Sequence, residues 1–178
     1  MIKKILGGLI ILFYKILFYK KLKIEIPSIS FAINPFKISA GSVTKIGKRA
    51  IIGKQCQIIN KGSICIGNNF CINRYSRVAS HENIIIGDNV TIAQFVSVLD
   101  HDHAYTIKDN QMKLDGYITA PIVIGNNVWI ADKVTICKGV VIGDNVIIAA
   151  NSVVNKNIPG NSVYGGVPAE LLRKLKHD

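Results

Sequence analysis

Two histidines stand close together in the segment 100–105, which reads DHDHAY. An imidazole that titrates near neutral pH can accept a proton from a hydroxyl group, so His101 and His103 are candidate general bases. Asp100 and Asp102 are candidates to orient one of the two rings. Taken alone, the same residues also fit a polar segment that only faces solvent. Their chemistry therefore depends on the elements that position them.

The composition indicates a folded, strand-rich chain with an anionic partner. Of the 178 residues, 49% are hydrophobic and 19% are charged, which excludes a disordered chain. Much of the apolar content is isoleucine and valine, and β-branched residues favour strands. The net charge is +11, which favours nucleic acid, an anionic membrane or a phosphorylated ligand as partner. The four cysteines form no C-x-x-C pair, so we expect no metal site and reduced thiols in a cytoplasmic protein.

A six-residue repeat organises the second half of the chain. From Ile124 the sequence reads IGNNVW, IADKVT, ICKGVV, IGDNVI, IAANSV and VNKNIP. Each block opens on an aliphatic residue, and the first five carry valine or serine four positions later. A helix would repeat every 3.6 residues and a strand would alternate, so neither explains this period. The period predicts an all-β fold, a parallel β-helix in which three blocks form one triangular coil of about 18 residues.

The same signature begins earlier, at Ile46, Ile66 and Ile86, which are 20 residues apart. Glycine and asparagine between the aliphatic positions are expected in the turns, where φ is positive. The pattern is interrupted at about 99–120, which predicts a protruding loop that carries both candidate bases. We predict that the β-helix domain covers residues 37–160 and contains five or six coils.

The two ends of the chain are expected to lie outside the repeat. Residues 1–36 are predicted to form a helix and a linker, and the first 23 of them hold six lysines and no acid. The apolar run over residues 5–14 is too short to cross a bilayer, which needs about 20 residues. The helix is expected either to lie in the interface of the cytoplasmic membrane or to pack on its own domain or a neighbouring subunit. Residues 161–178 are predicted to form a tail with a short helix that caps the stack.

Three stretches of the chain carry a specific combination of motifs. Residues 86–105, 121–154 and 155–174 contain GDNV, GNNVWI, KGVVIGDN and GGVPA. With these motifs the sequence resembles the hexapeptide-repeat acyltransferases, in particular the galactoside and maltose O-acetyltransferases and those of polysaccharide gene clusters. The resemblance implies a left-handed β-helix, a homotrimer with active sites between adjacent subunits, and acetyl-CoA as the acyl donor.

The resemblance also implies an acceptor site. Counted from the GDNV motif to the start of the loop, the catalytic histidine of the family falls on His103. Asn73 matches a position that hydrogen-bonds acceptor hydroxyls. His81 stands where the sugar acetyltransferases carry an acceptor-contacting acid, and this departure leaves the acceptor open. His101 is expected to lie beside the acceptor or to orient His103.

Further positions correspond to contacts with coenzyme A. The coenzyme contacts that the resemblance implies are Asp132, Ala150, Asn155, Lys156 and Arg173. Asp132 matches a position whose backbone N–H faces the thioester, and Arg173 matches a tail arginine that meets the phosphates. A second tail arginine of the sugar acetyltransferases is Glu170 here. Trp129 is expected either to shape the acyl pocket or to pack at a subunit interface.

The predicted function is transfer of an acetyl group from acetyl-CoA to a hydroxyl of a sugar or glycan precursor of a surface polysaccharide or lipopolysaccharide. N-acetylation of an amino sugar and O-acetylation of serine are alternatives within the same family. A γ-class carbonic anhydrase, with His81, His101 and His103 on zinc, and an inactive repeat scaffold are alternatives outside it. We expect no bound metal. Nucleic-acid binding is not expected, because the excess charge is mostly N-terminal and no binding motif is present.

Overall fold

A computed structural model describes residues 2–32 and 35–176, with side chains from residue 4 onward. One helix, α1 (Ile2–Leu17), precedes the strands. Sheet A contains β1 (Leu22–Ile24), β4 (Val43–Ile46), β7 (Ser63–Ile66), β10 (Asn83–Ile86), β15 (Ile122–Ile124) and β18 (Val141–Ile142). Sheet B contains β2 (Ile29–Ser30), β5 (Ile51–Ile52), β8 (Cys71–Ile72), β11 (Thr91–Ile92), β16 (Trp129–Ile130), β19 (Val146–Ile148), β21 (Ser162–Gly165) and β22 (Glu170–Lys174). Sheet C contains β3 (Phe36–Ile38), β6 (Gln57–Asn60), β9 (Arg77–Ser80), β12 (Ser97–Leu99), β17 (Thr135–Ile136) and β20 (Val153–Val154).

The chain visits the three sheets in turn, so each coil gives one strand to each sheet. Every pairing between successive coils is parallel, and the strands stack into a β-solenoid of about seven turns. The predicted parallel β-helix is therefore confirmed, with more coils than expected. The left hand of the coil stays a prediction of the resemblance.

Three corners connect the sheets, and we name each corner by the sheets that it joins. In the coil that contains β4, β5 and β6, the A–B corner holds residues 47–50, the B–C corner residues 53–56, and the C–A corner residues 61–62. Equivalent residues of the other coils stack above and below these.

The core consists of aliphatic columns that run along the solenoid. Ile46, Ile66 and Ile86 share one register position in sheet A and are each 2% exposed. Ile124 and Ile142 continue this column after the interruption. The second inward position is buried as well, at Val128, Val134, Val140, Val146 and Ser152. The period-six pattern therefore marks the residues that face the interior.

The turn residues confirm one part of the sequence prediction and correct another. Asn69 and Asn89 at the A–B corner have φ of 57°, in the left-handed region that was predicted for the turns. Gly87, which follows the inward isoleucine, does not have a positive φ. A Cβ atom there would lie 2.7 Å from the carbonyl oxygen of Gly125 in the next coil. Glycine is required at this position by the close approach of two backbones.

The predicted boundary at residue 37 is wrong, because the solenoid begins at Leu22. Strands β1, β2 and β3 pair with β4, β5 and β6 and contribute one strand to each sheet, as a first coil does. This coil lacks the hexapeptide signature, and the presence of Pro27 and Pro35 favoured the prediction of a linker. Each of its strands is stabilised by pairing with a strand of the next coil, and the local sequence does not predict this pairing.

The predicted C-terminal helix is also wrong. The segment forms β22, which pairs antiparallel with β21. Residues 169–174 favour a helix by propensity, but β21 would otherwise be an open edge of sheet B. Pairing with β22 covers this edge, and β22 becomes the last strand of sheet B.

The interruption is more regular than the predicted loop. Residues 101–119 form an antiparallel ribbon of two strands, β13 (His101–Lys108) and β14 (Gln111–Thr119). Its base is closed by a hydrogen bond of 2.9 Å from the Ala120 N–H to the Asp100 carbonyl oxygen. Its first strand starts with the two candidate bases, so their backbone is fixed at the C–A corner.

Candidate active site

Three basic side chains stack at the C–A corner of successive coils. Lys61, His81 and His101 are 20 residues apart, which is the length of one coil in this part of the chain. The rings of His81 and His101 are parallel, with an interplanar angle of 6° and 3.6 Å between their centroids. The repeat therefore brings together residues that are far apart in the sequence.

A buried carboxylate supports this column. Asp100 is 0% exposed and accepts hydrogen bonds from the Ser80 hydroxyl at 2.8 Å and from the backbone N–H groups of His81 at 2.7 Å and Glu82 at 2.9 Å. His101 Nδ1 lies 3.1 Å from the same carboxylate. Burial alone would raise the pKa of Asp100, but the hydrogen bonds outweigh it and lower the pKa below its ordinary value. The carboxylate is therefore charged at neutral pH and holds Nδ1 of His101.

His81 lies in an environment that disfavours a positive charge. Desolvation lowers its pKa first, and the nearby cationic groups of His101 and Lys61 lower it further, against the opposing effect of Asp100. His81 is therefore mostly neutral at pH 7 and can both donate and accept a hydrogen bond.

Tyr117 on β14 is the side chain that joins the basic groups. Its ring lies edge-on to His81 at 4.2 Å between centroids and tilted to His103 at 4.7 Å. Lys61 Nζ lies 5.1 Å from the centre of the same ring. The His101 ring also lies edge-on to it, at 5.5 Å between centroids, so four basic side chains surround one tyrosine at the base of the ribbon.

His103 is exposed and lies opposite Tyr117 in the ribbon. The expected partners of its ring are engaged elsewhere, since Asp100 contacts His101 and Asp102 accepts a hydrogen bond from Lys138 Nζ at 2.7 Å. Within the described residues, His103 therefore meets Tyr117 rather than a carboxylate.

Asn73 lies at a different corner, B–C, and its side-chain amide donates to the Ile92 carbonyl oxygen at 3.1 Å. At the same corner Tyr75 stacks on Phe95, with ring centroids 5.0 Å apart and both rings half exposed. The residues that the sequence predicted to contact the acetyl acceptor therefore lie at two different corners of the solenoid.

Two of the predicted coenzyme contacts share the B–C corner with Asn73. The Asp132 side chain accepts a hydrogen bond of 2.9 Å from the Gln94 N–H of the preceding coil. Ala150 occupies the equivalent position one coil later. Its methyl side chain cannot accept a hydrogen bond from the Asp132 backbone N–H. Among the described residues, the Asp132 N–H has no acceptor. Such an exposed donor fits an acyl carbonyl or a pantetheine amide of coenzyme A.

The other predicted contacts lie on exposed surfaces. Asn155 and Lys156 follow β20 at the C–A corner, two coils beyond His101, and Arg173 lies on β22 opposite Val163. Trp129 is half exposed on sheet B, where it lines a shallow cavity with Thr91. The cationic groups of Lys156 and Arg173 fit the phosphates of coenzyme A, although they lie on different sides of the solenoid.

Sequence reasoning missed Lys61 and Tyr117. The spacing of 20 residues from Lys61 to His81 and again to His101 is a signal that could have found the lysine. Tyr117 could only be found from the strand register of the ribbon, which the interruption did not reveal.

The arrangement does not resemble a zinc site. Among the described residues, no group of three or more His, Cys, Asp or Glu side chains is placed to hold a metal ion. His81 and His101 are stacked face to face, so their in-plane lone pairs do not converge on one point.

The fold and this corner define a class of protein, a parallel β-solenoid of hexapeptides with a basic, histidine-rich site at an interruption of the stack. The family profile described as bacterial transferase hexapeptide (six repeats) matches residues 121–156. WbbJ of Escherichia coli K12, named as a candidate lipopolysaccharide biosynthesis O-acetyl transferase, is 33% identical over 134 residues, covering 71% of this chain and 68% of that protein.

Solved structures agree with this relationship. A galactoside acetyltransferase in complex with coenzyme A superposes with a TM-score of 0.61 at 27% identity, covering 98% of this chain and 81% of that one. The hexapeptide-repeat acetyltransferase VCA0836 of Vibrio cholerae, solved with acetyl coenzyme A, gives a TM-score of 0.59 at 28% identity, covering 88% of this chain and 72% of that one. The chain belongs to the hexapeptide-repeat acetyltransferases.

Proposed function

We propose that this protein transfers an acetyl group from acetyl-CoA to a hydroxyl of a sugar or glycan precursor. The observation that carries the proposal is the cluster of His81, His101, His103 and Tyr117 at the C–A corner, where the ribbon leaves the solenoid. The relatives support the reaction type, since they include a galactoside acetyltransferase and a lipopolysaccharide O-acetyl transferase candidate. The four free cysteines fit a reducing cytoplasm.

In this proposal His103 is the general base. Its exposed imidazole takes the proton of the acceptor hydroxyl as the oxygen attacks the acetyl carbonyl carbon. Acetyl-CoA supplies the acetyl group as a thioester, and the C–S bond breaks as the new ester C–O bond forms. The proton held by His103 then passes to the thiolate of the leaving coenzyme. The unpaired N–H of Asp132 stabilises the negative charge that develops on the carbonyl oxygen.

The proposed site requires more than one copy of the chain. His103 lies at the C–A corner, whereas Asn73, Asp132 and Ala150 lie at the B–C corner, on the far side of sheet C. A neighbouring subunit can bring its own B–C corner against the ribbon. A homotrimer, in which each interface unites one C–A corner with one B–C corner, supplies three equivalent sites.

The charge of the corner favours an anionic sugar. Lys61 carries a positive charge at this corner, with its Nζ 5.1 Å from the centre of the Tyr117 ring, and His81 stands where the resemblance expects an acid. The carboxylate at this corner, Asp100, is buried and already accepts from Ser80 and two backbone N–H groups. A carboxylate or phosphate on the acceptor can pair with Lys61 Nζ at this corner.

The test is release of thiol from acetyl-CoA across a panel of neutral sugars, uronic acids, sugar phosphates, amino sugars and serine. Wild-type protein should acetylate a sugar hydroxyl, and His103→Ala should lower kcat by about 100-fold or more. Added imidazole should restore part of the lost activity to this variant. The control is Gln111→Ala at the exposed end of the ribbon, which should retain wild-type activity. Acetylation of an amine alone, or an unaffected His103→Ala variant, would contradict the proposal.

A further inference from the structure

Helix α1 carries two apolar faces, of which one is docked on the solenoid. Ile11 and Tyr14 are 1% and 7% exposed, and the Tyr14 ring meets the Phe36 ring edge-on at 5.5 Å between centroids. Gly7 lies so close to the first coil that a Cβ atom would be 2.8 Å from the Ser30 carbonyl oxygen. The helix is therefore fixed to the first coil by its own packing.

The opposite face is apolar and exposed. The side chains on it are each more than half exposed, and they are Ile5, Leu6, Leu9, Leu12, Phe13, Ile16 and Leu17. With about 100° per residue, these positions form one continuous stripe opposite Ile11. An apolar patch of this extent on a water-facing surface marks an interaction site rather than scattered exposed residues.

The charge around this stripe has one sign. The segment up to residue 23 holds six lysines and no acid, and Lys4 and Lys15 lie between the stripe and the docked face, on the side of Ile11. Among the described residues, the lysines of this segment form no ion pair, whereas the following Glu25 pairs with Lys48 at 3.9 Å. The helix and the residues that follow it thus carry positive charge that no ion pair of the described residues neutralises.

We propose that this face of α1 lies in the interface of an anionic membrane. The apolar side chains would enter the boundary of the acyl chains, and the lysines would contact the anionic headgroups. A second copy of the chain is a poorer occupant, because it would oppose one set of lysines with another. None of the described helices is long and apolar enough to cross a membrane, and α1 has 16 residues. The helix therefore lies in the plane of the surface, and it holds the first coil against the membrane whatever reaction the protein catalyses.

Co-sedimentation of the full chain with lipid vesicles tests this inference. Wild-type protein should bind vesicles that contain about one third phosphatidylglycerol and should bind pure phosphatidylcholine vesicles at least about 10-fold more weakly. Binding to the anionic vesicles should weaken as salt is raised. The variant Leu9→Ser/Leu12→Ser/Ile16→Ser changes only exposed positions and should lose binding by at least about 10-fold.

The matched control is Ile107→Ser/Met112→Ser, which removes two equally exposed apolar side chains from the ribbon and should bind like wild type. Thermal unfolding of both variants checks that they fold. Equal binding of wild type and the α1 variant would overturn the inference. So would a loss of subunit association in the α1 variant, since that result would assign the face to a contact between copies.

Discussion

At the scale of single residues, Asp100 organises the candidate site. It receives hydrogen bonds from Ser80, from the backbone of His81 and Glu82, and from His101, although it is fully buried. The sequence showed that an aspartate stood beside the histidines but could not show which ring it orients. That choice depends on the turn from β12 into β13, which points Asp100 inward to its own coil and the previous one.

Asn in place of Asp100 should destabilise the fold in a pH-dependent way. The pKa of Asp100 is lowered in the folded state, so its stabilising effect is complete above the pKa of an unfolded aspartate, near about 4, and is lost as the pH falls through the lower folded value. We expect Asp100→Asn to lower the free energy of unfolding by about 2 kcal/mol at pH 7 and by less at about pH 3. Urea unfolding at both pH values measures this, with Asp109→Asn on the exposed end of the ribbon as control. Equal destabilisation at both pH values would show that the charge of Asp100 does not matter.

Lys61 should determine the preference for a charged acceptor. If the basic corner binds an anionic sugar through Lys61, kcat/KM for methyl glucuronide should exceed that for methyl glucoside by about 10-fold or more, because a carboxylate at C6 of the first replaces the neutral hydroxymethyl group of the second. Lys61→Met should remove most of this preference through KM, while Lys45→Met on the exposed face of sheet A should keep it. Two glycosides acetylated equally well by wild-type protein would rule out the anionic acceptor and leave acetyl transfer itself intact.

At the scale of elements, the hexapeptide pattern predicts the strands of coils that carry the repeat. It misses strands whose own sequence lacks the repeat and which form because they pair with a neighbouring strand. The column that runs from Ile46 through Ile124 could be predicted from spacing alone, since each coil repeats the same inward position. Strands β1 to β3 and β22 could not, because pairing with a neighbouring strand outweighs their local preferences. The ribbon was predicted as a loop because its exposed residues carry no inward-facing period.

The close approach of coils gives a prediction about glycine. Gly87→Ala would place a Cβ atom 2.7 Å from the Gly125 carbonyl oxygen, so two coils must separate. We expect a loss of about 1–3 kcal/mol in the free energy of unfolding. Gly8→Ala is the control, because nothing lies within 4 Å of its Cβ position in α1, and it should stabilise the protein by about 0.5–1 kcal/mol. Thermal and urea unfolding compare the two variants, and a neutral Gly87→Ala would mean that the coils adjust freely.

At the scale of the whole molecule, a single chain carries the two halves of the proposed site at different corners of its solenoid. The C–A corner carries the histidines and the ribbon, and the B–C corner carries Asn73 and the unpaired N–H of Asp132. Sequence motifs named residues of both halves by resemblance. They could not show this division, because it follows from the path of the chain around the three sheets.

Complementation between two inactive variants tests most directly whether each site is shared between two neighbouring subunits. His103→Ala and Asn73→Ala are mixed after dissociation and reassociated, and thiol release from acetyl-CoA is measured with the acceptor found in the panel. Light scattering confirms in parallel that the mixture has three times the 19.5 kDa mass of the chain. If each site joins the C–A corner of one subunit to the B–C corner of its neighbour, random mixing should restore about a quarter of wild-type activity. If the mixture stays as inactive as its components, both residues act within one subunit and the proposed site is contradicted.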